Sequence, residues 1–158
     1  NRVDKLIDNN WELMENYQHI ENSLKELFDC LLESGYLTQA YGTGRPVSGS
    51  EHIVSSYIEN EIECPHGAGL YCGILLTDLL QRKVYRVGME NVGKTIWLLK
   101  KIYPMKDYVS EHFEERNLRR ILKNVRPRED KYTVLDEAQE EDIETAIDSV
   151  CEVLYRSQ

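Results

Sequence analysis

Residues 65–80 read Pro65-His66-Gly67-Ala68-Gly69-Leu70-Tyr71-Cys72-Gly73-Ile74-Leu75-Leu76-Thr77-Asp78-Leu79-Leu80. After the break at Cys64-Pro65, the apolar residues Tyr71, Ile74, Leu75, Leu79 and Leu80 recur at spacings of three and four, the period of a helix rather than of a strand. A helix this apolar is expected at the centre of a core.

Amphipathic helices extend outward from it on both sides. Trp11, Met14, Ile20, Leu24, Leu27, Phe28, Leu31 and Leu32 describe a helix with Gly35 as its expected stop. Residues 41–50 interleave Gly42, Gly44, Pro46 and Gly49 with small polar residues and read as a loop. Ser48 or Ser50 then offers a cap for a helix from Glu51 towards Glu61. Further helices are expected at about 89–102, 107–125 and 137–156 from their apolar spacing. The last places Ile143, Ile147, Val150, Val153 and Leu154 on one face, with acids in its first turns, where the helix dipole favours them. Only Lys83 to Val87 suggests a strand. The expectation is an all-α helical bundle forming a single domain over residues 1–158.

Composition narrows the function. The chain has 158 residues, 41% of them hydrophobic, with 28 acidic and 19 basic side chains and a net charge of −9. A surface of that sign repels phosphate backbones, so nucleic acid is an unfavourable partner. No apolar run approaches the roughly 20 residues of a membrane span, and no basic, apolar leader opens the chain. Cys30, Cys64, Cys72 and Cys151 include no CxxC pair and suit a reducing, cytoplasmic compartment.

The chemistry-bearing candidates are His52 and His66. Each stands at an expected helix start, and two such starts can direct two imidazoles at one point. Neutral imidazole is a good ligand for zinc or iron, and a catalytic site needs a further protein ligand and an open position. The spacing alone is met more readily by two unrelated polar residues at helix N-termini, because HX13H is not a metal signature like HExxH. Cys64 is either an additional ligand or an ordinary small side chain before a helix. Glu51 reads as a helix-start charge, and His19 and His112 as solvated residues. Lys123, Arg126, Arg128 and Lys131 form a basic group that suits either a phosphate or a solvated loop.

Three blocks widen the view: Arg45-Pro46-Val47-Ser48-Gly49-Ser50-Glu51-His52, then His66-Gly67-x-x-Leu70-x-x-Gly73, then Arg126 through Lys131-Tyr132-Thr133-Val134-Leu135. In that order they resemble the helical C-terminal domain of glycerol-1-phosphate dehydrogenases, relatives of iron-containing alcohol dehydrogenases and dehydroquinate synthases. Asp8-Asn9-Asn10-Trp11-Glu12-Leu13 resembles the segment where that domain begins. The resemblance implies that His52 and His66 are two ligands of a zinc or iron ion. It also implies that Ser48 and Ser50 contact a small polyol phosphate or alcohol substrate, and that NAD(P) is held by a nucleotide-binding α/β domain absent from this chain. The chain by itself is then expected to be inactive, a fragment of an oxidoreductase. The family's third ligand, an aspartate upstream of the Trp11-like segment, has no match at the usual spacing; Asp4 is the substitute on offer. Ser56 stands where the family commonly carries a second histidine, which removes a titrating group from that position.

Two other readings remain open. Gly88-Met89-Glu90-Asn91-Val92-Gly93-Lys94-Thr95 satisfies GxxxxGK[ST], which suits a phosphate-cradling loop after the strand-like Val84–Val87, though no acidic magnesium partner follows on a second strand. A helical interaction domain that has lost its chemistry is the other.

Overall fold

A computed structural model describes residues 24–44, 48–85 and 105–156. The chain divides into two compact units, residues 1–48 and 49–158. In the first, α1 runs Leu24–Tyr41. It passes through Gly35 instead of stopping there and ends at Gly42, whose φ of 70° is the left-handed conformation that closes a helix. The Gly42 N–H donates to the Gln39 carbonyl at 3.1 Å. Leu24, Phe28, Leu31, Leu32 and Tyr36 on α1 are exposed, whereas Leu37 is buried.

In the second unit, α2 (Ser50–Glu59) and α3 (His66–Tyr85) form an antiparallel hairpin. The backbone gives the direction: Gly73 abuts the Glu51 carbonyl at one end, and Gly69 faces Ser55 and Glu59 towards the other. Neither glycine has room for a methyl group. A Cβ on Gly69 would lie 2.6 Å from Ser55 Oγ, and one on Gly73 would run into the Glu51 carbonyl oxygen. The two helices therefore approach more closely than ordinary side chains permit.

The apolar residues of α3 behave as their spacing requires. Ala68, Tyr71, Cys72, Leu75, Leu76 and Leu80 are all buried, and the buried Thr77 hydroxyl donates to the Gly73 carbonyl at 2.9 Å. Around α3 stand α4 (Met105–His112), α5 (Glu115–Lys123), the short α6 (Val134–Glu137) and α7 (Glu140–Tyr155). Val109, Leu118, Ile121, Leu122, Ala146, Ile147, Val150 and Leu154 share its core. Each fully buried aliphatic side chain contributes about 1.5–3 kcal/mol relative to exposure.

No strand occurs among the described residues, which are all-α apart from an isolated bridge between Arg128 and Lys131. Val84 and Tyr85 complete α3 rather than opening a strand. The strand expected before the GxxxxGK[ST] segment is thus helix at these two positions; the segment itself, like the expected helix at 89–102 and Asp4, lies outside the described residues. The helix expected over 107–125 divides at Phe113-Glu114. Glu114 adopts an extended N-cap conformation, and the Phe113 carbonyl accepts a 2.8 Å hydrogen bond from Tyr155 Oη of α7. The helix expected at 137–156 begins at Glu140, because Ala138 is extended and two capping boxes, Thr133 with Asp136 and Gln139 with Asp142, restart the chain twice.

No helix among the described residues is long and apolar enough to cross a membrane.

Candidate functional site

The α2–α3 hairpin brings His52 and His66 together. His52 lies in the first turn of α2 and His66 is the first residue of α3. Because the helices run antiparallel, their starts sit at opposite ends of the hairpin and do not converge on one point as expected from sequence. The side chains close the gap: the ring centroids are 5.6 Å apart, inclined at 52°.

Each ring is held by a glutamate. His52 Nδ1 lies 2.8 Å from Glu51 Oε1, and His66 Nδ1 lies 2.8 Å from Glu59 Oε1. Glu51 Oε1 also accepts the Gly49 N–H at 2.6 Å. The serine cap expected from sequence is not made: Gly49 is the N-cap and no side chain caps the first-turn amides. Glu59 in turn accepts the hydroxyl of Ser55.

Electrostatics follows from these contacts. Burial works to raise the Glu51 carboxyl, but the Gly49 N–H and His52 outweigh it, so the group sits below the ordinary carboxylate range. The Ser55 hydroxyl, with His66 adding to it, holds the Glu59 carboxyl below its ordinary value as well. Both glutamates are therefore ionised at neutral pH and can only accept hydrogen bonds.

The neighbouring candidates fall as follows. Ser50 is buried at 4% exposure, as the first residue of α2. Ser48 is half-buried and belongs to the other unit. Ser56 is exposed, and its hydroxyl donates back to the His52 carbonyl at 2.8 Å. Cys64 is half-buried, and burial, reinforced by the Glu59 charge, pushes its thiol up, away from the thiolate a metal requires. His112 is engaged in its own helix, donating from Nδ1 to the Tyr108 carbonyl at 2.9 Å and stacking on the Tyr108 ring. Among the described residues, no group of three or more His, Cys, Asp or Glu side chains is arranged to hold a metal ion. The two histidines form a pair, fewer than the three protein ligands a catalytic zinc site ordinarily uses.

The basic group expected near residue 126 is spent internally. Lys123 pairs with Glu144 at 2.9 Å, Arg126 donates to the Lys123 and Val125 carbonyls, and Arg128 pairs with Asp130 at 2.9 Å.

Sequence reasoning missed the two carboxylates. Glu51 reads there as a helix-start charge, and Glu59 carries no local signal at all. The glycines were the available clue. A Cβ on Gly49 would lie 2.8 Å from Glu51 Oε2, and one on Gly69 would lie 3.0 Å from Glu59 Oε1.

No protein-family profile matches the chain, and no solved structure matches it. Over 78 residues, 45% of this chain, the sequence is 33% identical to glycerol-1-phosphate dehydrogenase (NAD(P)+) of Bacillus subtilis (strain 168). The match spans 20% of that protein's length, so the similarity is to a segment of a dehydrogenase.

Proposed function

We propose that this chain is the metal- and substrate-binding helical domain of an NAD(P)-dependent oxidoreductase acting on a small polyol phosphate or alcohol, resembling glycerol-1-phosphate dehydrogenase. One observation carries the reading. His52 and His66, fourteen residues apart in sequence, have ring centroids 5.6 Å apart, and each has Nδ1 tied to a carboxylate. Partial identity to a dehydrogenase supports it.

The donor set fits two positions of a zinc or iron site. Imidazole nitrogen suits both metals, and the rings lie within the span of one ion's coordination sphere. Such an ion would supply Lewis acidity towards a substrate hydroxyl, lowering the pKa of the alcohol. A third protein donor is not found among the described residues. In such an enzyme NAD(P) would supply or accept the hydride.

The chain's own residues bind and orient. Ser48 and Ser50 are the proposed hydrogen-bonding partners of substrate, and Ser48 is the more accessible. Ser56 does not replace a titrating histidine, since its hydroxyl serves the α2 backbone. Ser56 therefore does not carry a proton away from the substrate hydroxyl.

The test is metal content of the purified chain. Zinc or iron bound by the wild type and lost from both His52→Ala and His66→Ala supports the assignment. Equal metal content in all three proteins, or none in the wild type after incubation with excess zinc, refutes it.

A further inference from the structure

We infer that Glu51 and Glu59 are positioning residues: each fixes one histidine of the pair as the Nδ1–H tautomer and so leaves Nε2 of His52 and of His66 as the nitrogen with a free lone pair, the candidate ligating atom. The inference deepens the metal-site reading and rests on it for its purpose, though not for its geometry.

A neutral imidazole carries one N–H, and an ionised carboxylate has none to give. A 2.8 Å contact between them is therefore a hydrogen bond only if the proton is on the nitrogen facing the carboxylate. That nitrogen is Nδ1 in both rings. The alternative tautomer would set an imidazole lone pair against a carboxylate oxygen at 2.8 Å, a repulsive arrangement.

Neither carboxylate is free to turn away. Glu51 Oε1 is anchored by the Gly49 N–H at 2.6 Å, and Glu59 Oε1 by the Ser55 hydroxyl. The surrounding backbone leaves room for both. Gly49 lacks the Cβ that would crowd Glu51 Oε2, and Gly69 lacks the one that would crowd Ser55 Oγ and Glu59 Oε1; Gly73 admits the Glu51 backbone. Gly49, Gly69 and Gly73 thus border the two glutamates. Histidines that ligate metals characteristically give their other N–H to such a carboxylate, which sets the ring's orientation and raises its basicity.

The two hydrogen bonds are separate, one within the start of α2 and the other joining the end of α2 to the start of α3, although the Glu59 charge also reaches His52. Removing one carboxylate should therefore release one ring only.

The experiment is long-range proton–nitrogen NMR on the full metal-free chain labelled with nitrogen-15 histidine, at a pH where the imidazoles are neutral. Signals are assigned by their loss in His52→Ala and His66→Ala. The wild type should show both rings as Nδ1–H. Glu51→Leu should shift His52 alone towards the solution mixture of tautomers, and Glu59→Leu should shift His66 alone. Glu51→Gln and Glu59→Gln preserve side-chain shape and a neutral acceptor oxygen, so they should retain most of the Nδ1–H form. They also keep the test decisive should a leucine variant fail to fold. Wild-type rings in the Nε2–H form, or leucine variants that leave both tautomers unchanged, overturn the inference.

Cobalt(II) titration of the same proteins separates the two readings. Each leucine variant should bind cobalt about 10–100-fold more weakly than the wild type. Nδ1–H tautomers that respond to the glutamates in a protein that binds no metal would sustain the positioning and sink the metal site. Cobalt binding through tautomers indifferent to the glutamates would do the reverse.

Discussion

Replacing Gly73 by alanine tests the hairpin that brings the histidines together. An alanine Cβ there would overlap the Glu51 carbonyl oxygen and lie 3.1 Å from both the carbonyl carbon and Cα of Glu51. These are backbone atoms, so no side chain can rotate away, and α3 must withdraw from α2. Overpacking of this kind costs about 1–3 kcal/mol. Against it stands the gain in helix propensity, roughly 1 kcal/mol for glycine to alanine in a helix interior. The net expectation is a loss of up to about 2 kcal/mol. For a domain near 100 residues each kcal/mol moves Tm by roughly 4–8 °C. Gly35→Ala supplies the control. Gly35 also lies within a helix, but nothing stands within 4 Å of the added methyl, so the propensity gain of about 0.5–1 kcal/mol should appear unopposed. Thermal and urea denaturation followed by circular dichroism should therefore move the two variants in opposite directions. A Gly73→Ala protein stabilised as much as Gly35→Ala would refute the close approach of α2 and α3, and with it the placement of His52 beside His66.

Two further perturbations probe the frame around the site. Burial pushes the Asp78 carboxyl up to about 6, the Arg82 charge only partly opposing it and the Glu51 charge adding to it; Asp78 Oδ2 finds no hydrogen-bond partner among the described residues. Between the ordinary value of 3.8 and about 6 the folded chain holds a proton that the unfolded chain releases, so stability falls as pH rises through that window and stays reduced above it. Asp78→Asn should remove that decline, gaining stability over the wild type at pH 7 relative to pH 4 in urea titrations. Parallel pH profiles for the two proteins would contradict the buried placement. Tyr155→Phe deletes the hydrogen bond to the Phe113 carbonyl and should cost about 0.5–1.5 kcal/mol by the same assay, with no change in metal affinity.

What could be read from the sequence was whatever depends on local period. The apolar residues of α3 and α7 recur every three or four positions, and both are helices that bury most of them, Ile74, Leu79, Ile143 and Val153 packing on the core partly buried. Tertiary contacts decided the rest. Val84-Tyr85-Arg86-Val87 alternates like a strand, but Val84 packs on the core as part of α3. The break at Phe113-Glu114 coincides with a hydrogen bond from a tyrosine 42 residues away, which no local pattern encodes. Gly35 reads as a helix stop only because glycine often is one; α1 instead ends seven residues later, at the glycine whose positive φ closes it. At the site, His52 and His66 were legible through the blocks that surround them. Glu59 was not, because its partner His66 lies seven residues further on, beyond a turn whose path the sequence does not spell out.

The central claim is that His52 and His66 ligate one metal ion, and cobalt(II) titration of the full chain, monitored in the visible, tests it most directly. One ion per chain is expected, giving ligand-field bands that disappear in both His52→Ala and His66→Ala. Bands of equal intensity in the wild type and the two alanine variants would place the metal elsewhere and contradict the account.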